Sequence, residues 1–285
     1  ADGRVKVWNV SKRKLEFELT PSNASVQSVR FSPRKDILAS CSRDGTIRLT
    51  RFPANRGARV LNREPRVHRG FINAISYLGN RKIASVGDDC KLVLWDTASG
   101  TPTVLEDVKK EDHKLWAVAC APNGEGIYFG GTDHVIRYHD LKKGGITRSF
   151  DAGYRITSLV FDAEGTTLAA TTAGGNVMLF DHAVDGRQPG EWEPKSRWLA
   201  HSGDAMSSAF SVDGRTLVSG GGDGRLGFWK LDRDENGLIK ATENREPLLV
   251  LKAHEKMITQ VCFSPKGKIL ASAGWDGSIH LWLRD

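Results

Sequence analysis

The chain has 285 residues, 39% hydrophobic and 26% charged, enough to bury a core in one large or two small domains and unlike a disordered or collagen-like composition. Its longest apolar runs are a handful of residues, far short of the roughly 20 needed to cross a bilayer, so no membrane association is expected. Lys and Arg number 41 against 34 Asp and Glu, and the net charge of +7 favours anionic partners without naming any.

One pattern recurs along the chain: a turn, alternating apolar residues, then an aromatic or its substitute. It is met first as DGRVKVW ending at Trp8, then as DGTIRLT ending at Thr50, DCKLVLW ending at Trp95 and DHVIRYH ending at His139. GGNVMLF ending at Phe180, DGRLGFW ending at Trp229 and DGSIHLW ending at Trp282 complete the series. Successive end positions are 42, 45, 44, 41, 49 and 53 residues apart, a period that marks a repeat architecture.

Within each unit the apolar period is two, as in Val5 and Val7 or Ile279 and Leu281, which predicts a strand. A second strand lies upstream (Ile37 to Ser42, for example) and a third before that (Val26 to Ser32), separated by turn sequences such as SPRKD, APNGE and SPKGK. A fourth, more polar strand such as Lys14 to Leu19 leads to the next unit. Each unit is therefore a four-stranded antiparallel meander, too small to bury its own faces unless copies stack around an axis.

These residues resemble the WD40 repeat family over essentially the whole chain, and the resemblance implies an all-β propeller. The family's structural tetrad joins a histidine before the first strand, a serine on the second, an aspartate in the following turn and a tryptophan ending the third. Three units carry all four: His68, Ser85, Asp89 and Trp95; His201, Ser219, Asp223 and Trp229; His254, Ser272, Asp276 and Trp282. A buried imidazole between carboxylate and hydroxyl, closed by an indole N–H, satisfies polar groups that would otherwise be costly. The unit ending at Thr50 keeps Asp44 but has neither histidine nor tryptophan, the unit ending at Phe180 has Gly174 for the aspartate, and in the unit ending at His139 Phe129 replaces the serine. Those blades are expected to be looser.

Six units have complete inner strands and a seventh is represented by its last two strands, Asp2 to Val10 and Lys14 to Leu19. Residues 1–285 are thus expected to form a single propeller domain, a partial blade at 1–20 followed by six repeats at 21–285. The chain reads as a fragment of a longer one with seven blades. The alternative is a six-bladed ring in which Lys14 to Leu19 joins the sheet ending at Trp282 as its outer strand.

Ser, His and Asp recurring at one fixed station per blade suit a structural lock rather than a catalytic centre. No catalytic residue, metal site or cofactor is expected, because no metalloprotease, nucleophile-elbow or phosphate-loop pattern is present. Cys41, Cys90, Cys120 and Cys262 stand alone, which fits free thiols in a reducing, cytoplasmic setting. The resemblance places a protein or peptide partner on the face around the central channel, with Arg43, Phe71, Trp116, Arg155, Met257 and Trp275 as contacts, residue types that anchor interfaces. An apolar anchor is expected near Trp275, Met257, Trp116 and Phe71, and acidic groups near Arg43 and Arg155. Arg51, Arg56, Arg59, Arg63, Arg66 and Arg69 form a basic rim that could meet an acidic partner or nucleic acid, as in an RNA or ribosome-assembly scaffold. The stretch Asp232 to Pro247 reads as a charged spacer, and Asp181 to Trp198 as an excursion without a legible role.

Overall fold

The computed structural model describes residues 2–19, 22–52, 58–61, 66–108, 113–182, 192–242 and 245–283. Twenty-five strands form seven antiparallel sheets in chain order, and there is no helix among the described residues. The first sheet pairs β1 (Val5–Asn9) with β2 (Lys14–Leu19). Five four-stranded meanders follow. The first of them runs β3 (Val26–Phe31), β4 (Ile37–Ser42), β5 (Ile47–Arg51) and β6 (Ala58–Leu61). The next comprises β7 (Ile72–Leu78), β8 (Lys82–Gly87), β9 (Lys91–Asp96) and β10 (Pro102–Asp107). Then come β11 (Leu115–Cys120) to β14 (Gly145–Asp151), β15 (Ile156–Phe161) to β18 (Ser196–Leu199), and β19 (Ala205–Phe210) to β22 (Pro247–Lys252). The last sheet has three strands, β23 (Ile258–Phe263), β24 (Ile269–Gly274) and β25 (Ile279–Leu283).

Burial follows strand position in the blade. The second strands are buried on both faces, as in β12 (Gly126–Gly131) and β16 (Thr167–Thr172), because a neighbouring blade covers each side. Small residues let those neighbours approach: a Cβ added at Gly130 would lie 2.9 Å from Ile156 of the next blade. Outer strands such as β22 are largely exposed. Five hydrophobic clusters, one at each successive junction, tie the six repeats from β3 to β25 together. The architecture is a β-propeller of six blades with complete inner strands plus part of a seventh.

The alternative placement of residues 14–19 is not adopted. β2 pairs with β1 in the register Val5↔Leu19 to Asn9↔Lys14, and among the described residues β25 pairs only with β24. Ile279, Leu281 and Leu283 are consequently exposed on β25, as are Val29 and Phe31 on β3.

The two excursions also differ from expectation. Asp232 to Pro247 is more than a spacer: Arg233 reaches Asp162 of the preceding blade at 2.8 Å and also donates to Thr166 and Thr167, each at 3.2 Å. Asp162 is buried, so the guanidinium neutralises a carboxylate that has left water. From the other excursion, the buried Trp192 stacks on Phe180 with ring centroids 4.3 Å apart and lies 5.4 Å from Tyr128. It fills a blade that has no tetrad.

Candidate partner-binding face

In each of the six complete inner first strands the ladder slips by one residue near its start, between Val26 and Ser28, Ile72 and Ala74, Leu115 and Ala117, Ile156 and Ser158, Ala205 and Ser207, and Ile258 and Gln260. A bulge leaves one extra residue out of the ladder and re-aims its side chain. The residues so released are Gln27, Asn73, Trp116, Thr157, Met206 and Thr259, one per blade on the rim of the channel.

Two of them fasten blade to blade. The Asn73 amide donates to the Leu115 carbonyl at 2.9 Å and the Thr157 hydroxyl donates to the Ala205 carbonyl. Trp116 makes no such staple. Its ring lies beneath the Arg155 guanidinium at 5.3 Å, and its buried indole N–H has no acceptor among the described residues.

The six expected contact residues form three neighbouring pairs rather than one patch. Arg43 stacks over Phe71 at 5.4 Å, with the phenyl ring 42% exposed. Arg155 covers Trp116. The Trp275 N–H donates to the Met257 carbonyl at 2.9 Å, and the Trp275 side chain is 69% exposed. Arg155 differs from the expectation that it awaits an acidic partner group, because it already holds Asp204 at 2.8 Å. Arg43 keeps its charge available. Lys114 is likewise bound to Asp88 at 3.0 Å. Tyr154 adds an exposed aromatic that was not anticipated, its ring packed over the Gly174 turn where a Cβ would lie 2.6 Å away. Its only sequence signal is adjacency to Arg155.

Beneath this face lie the polar clusters. His68 Nδ1 is 2.9 Å from Asp89, its Nε2 is 2.7 Å from Ser85 Oγ, and Trp95 Nε1 donates to that same hydroxyl at 2.8 Å. His201 stands 3.1 Å from Asp223 and 2.8 Å from Ser219, with Trp229 donating to Ser219 at 2.9 Å. His254 stands 3.0 Å from Asp276 and 2.8 Å from Ser272, with Trp282 at 3.1 Å. One tautomer satisfies every atom: Nδ1–H donates to the carboxylate, the serine O–H donates to Nε2, and the serine oxygen accepts from the indole. Burial pushes Asp89 and Asp223 up, but the hydrogen bond from the histidine, with backbone N–H donors, outweighs it and holds both below the usual carboxylate value. Asp276 is lowered mainly by Ser278.

Two blades without this cluster neutralise the turn aspartate otherwise. Arg48 lies 3.7 Å from Asp44 and Arg137 lies 2.5 Å from Asp133, each four residues after the acid. The sequence signal is an arginine at aspartate plus four, present where the histidine is missing. In the His139 blade, His139 Nδ1 instead meets Glu106 of the preceding blade at 2.6 Å.

Two arginines of the basic rim are engaged internally. Arg59 donates to the carbonyls of Ala98 and Ser99, and Arg66 to that of Asp44 at 2.9 Å. Arg51 and Arg69 are exposed, while Arg56 and Arg63 lie outside the described residues. Among the described residues no three His, Cys, Asp or Glu side chains converge as a metal site, and no helix is long and apolar enough to cross a membrane.

Bulged inner strands, stacked meanders and repeated His–Ser–Asp–Trp clusters define a WD40-type β-propeller. The WD domain, G-beta repeat family matches residues 13–50, 192–230 and 245–282, and the chain is a WD40-repeat propeller. It is 24% identical to protein tipD of Dictyostelium discoideum over 99% of its length and 44% of tipD. It is 23% identical to guanine nucleotide-binding protein subunit beta-1 of Nicotiana tabacum, covering 99% of this chain and 75% of that one. With intraflagellar transport protein 80 homolog of Mus musculus it shares 28% identity over 68% of its length and 23% of the relative. The chain therefore spans less than half of tipD and about a quarter of the mouse protein. A chain in the crystal structure of the mitotic checkpoint complex superposes with a TM-score of 0.82 at 15% identity, covering 99% of this chain and 82% of that one, which is a likeness of fold. Propellers of this family are in general protein-interaction scaffolds.

Proposed function

We propose that this chain is a non-catalytic interaction module of one propeller domain, taking a peptide or protein partner on the face that carries Arg43, Phe71, Trp116, Arg155, Met257 and Trp275. The observation that carries the reading is Trp275, a large aromatic 69% exposed beside an Asp-Gly turn, its backbone N–H bonded to the Met257 carbonyl. An exposed indole is a common interface anchor. Arg43 on Phe71 supplies a cation at a separate point of this face, so the partner should bring an apolar side chain to Trp275 and an acidic one to Arg43.

The Ser–His–Asp clusters support a structural role, because His68, Ser85, His254 and Ser272 are all buried and each serine oxygen is already bonded to an indole. Four free thiols favour a reducing, cytoplasmic setting. A nucleic-acid scaffold is the competing reading, and the engagement of Arg59 and Arg66 with carbonyls counts against it.

The test is a quantitative comparison of what the intact chain and its Trp275→Ala, Phe71→Ala double variant capture from the same extract. A partner lost by at least about tenfold in the variant, equivalent to about 1.4 kcal/mol, supports the reading. Identical capture by both removes it.

A further inference from the structure

A groove of about 570 Å³ runs along the outer wall between the fifth and sixth sheets of the chain, that is, between β18 and β22. Trp198, Leu199, Arg225, Arg245, Pro247 and Val250 line it, and none belongs to the channel rim. Leu199 is 69% exposed and Val250 is also exposed, so the groove has an apolar lip.

Its cation is fixed in place and has no counter-ion among the described residues. The Arg245 guanidinium lies over the Trp198 ring at 5.4 Å, donates to the Lys230 carbonyl and donates to Thr242 Oγ1 at 3.1 Å. Its Nε is buried without an acceptor, and no carboxylate is within ion-pair distance of it among the described residues. Of the two acids on the wall, Asp223 is committed to His201, and Glu246 makes no ion pair with Arg245. Asp232 acts only at longer range and is itself held by Lys230 at 3.0 Å. Burial lowers the Arg245 pKa, as a half-desolvated cation without a partner requires. A guanidinium that is already immobilised gives up little entropy on meeting a carboxylate.

The backbone beside it is also open. β18 pairs with β17 (Asn176–Asp181) along one edge, from Asn176↔Leu199 to Leu179↔Ser196. Its other edge carries a single parallel bridge, Ser196↔Thr242, reinforced by the Thr242 N–H donating to Ser196 Oγ at 3.1 Å. One residue of this chain thus already adds to that edge at its start, and among the described residues the ladder is unused beside Trp198 and Leu199.

We propose that this groove is a second docking site, for an extended acidic peptide segment in which an aspartate or glutamate alternates with aliphatic residues. The segment adds to the free edge of β18, its carboxylate meets Arg245 with Arg225 at the rim, and its aliphatic side chains cover Leu199 and Val250. Edge addition supplies the main-chain hydrogen bonds and the alternation supplies the specificity. The site is independent of the channel face.

The test uses the 285-residue chain and three fluorophore-labelled, end-blocked peptides of about eight residues, alternating Leu with Asp, Asn or Lys, in about 0.1 M salt. Polarisation should report the Asp peptide bound at least about tenfold more tightly than the Asn peptide, with the Lys peptide weakest. Arg245→Gln should erase the preference for Asp over Asn. Leu199→Glu changes an exposed side chain, keeps the fold, and should weaken the Asp peptide at least about fivefold through like charge and the lost apolar contact. Trp275→Ala should leave all three affinities unchanged. Equal binding of the Asp and Asn peptides, or wild-type binding by Leu199→Glu, overturns the proposal. Loss of binding in Trp275→Ala also overturns it, by assigning the peptide to the channel face.

Discussion

Arg137 approaches Asp133 to 2.5 Å across a single turn and does for its blade what an imidazole does for three others. Both side chains are largely buried, so the pair is the counter-charge that lets the turn acid leave water. Removing one member strands the other. Arg137→Leu is expected to destabilise the protein by about 3 kcal/mol, and a further Asp133→Asn should recover most of that loss, since an unpaired buried charge costs more than an absent pair. Urea titrations of the two variants and the parent decide it; equal stability of the single and double variants would show that the pair is not coupled.

Trp192 stands where no tetrad locks the blade. Stacked on Phe180 and bordered by Tyr128 and Phe150, it takes over the packing that a tryptophan ending the third strand provides elsewhere. Trp192→Ala should cost about 3–4 kcal/mol, the ordinary penalty for emptying an aromatic site. Amide exchange should rise first in β15 to β18, because local opening begins where packing is lost. A change below about 0.5 kcal/mol would mean that the stack is incidental.

The alternating apolar strands, the turns between them and the three histidine clusters are all visible in the sequence because each depends on local spacing. Ser85, ten residues before Trp95, lies diagonal to it across one hairpin (Ser85↔Val93, Ile83↔Trp95), and period-two alternation with a turn length fixes that relation. What escaped is non-local or depends on backbone slip. The bulge that turns Asn73 into a staple leaves no composition mark, so nothing in the sequence signals that this amide is 8% exposed. Arg155 reads as a free cation because its partner, Asp204, is 49 residues away on the next blade. Arg233 and Asp162, 71 residues apart, are hidden for the same reason. The arginines at aspartate plus four also lie within local reach, since DGTIR and DHVIR carry arginine where the tetrad blades have Val93, Gly227 and His280.

His134 occupies a turn position that is glycine in most other repeats, at φ 69°, and its side chain is exposed. A left-handed conformation penalises a residue with a Cβ by about 1–2 kcal/mol, while glycine returns some of that gain as chain entropy on folding. His134→Gly should therefore stabilise the protein by about 0.5–1 kcal/mol, read as a rise in the midpoint of thermal unfolding. A lower midpoint would show that the imidazole holds the turn in place.

Asp89 and Asp223 titrate below their ordinary value of 3.8 in the folded protein. A carboxylate whose folded pKa is depressed adds stability that is complete above its unfolded pKa and disappears as the pH drops through its folded one. Melting temperature should accordingly hold between neutral pH and about pH 5, then fall steeply below about pH 4. Asp89→Asn should lower stability at neutral pH by about 2 kcal/mol, the value of a charge-assisted hydrogen bond, and make the acid limb shallower. A variant whose acid limb matches the parent's would place the acid sensitivity in other carboxylates.

Two tryptophans of equal size separate fold from function. Trp95 is 1% exposed and ends a hydrogen-bonded cluster, so Trp95→Ala removes a packed indole and leaves Ser85 short of a donor; about 4 kcal/mol of stability should go with it. Trp275 is 69% exposed, and its backbone N–H, not its ring, makes the bond to Met257. Trp275→Ala should leave stability within about 0.5 kcal/mol of the parent, because the alanine backbone keeps that bond and little apolar area is lost from the interior. Chemical denaturation of the two variants side by side tests the distinction: a Trp275→Ala loss approaching that of Trp95→Ala would make the indole a structural element of its blade and withdraw it from the partner face.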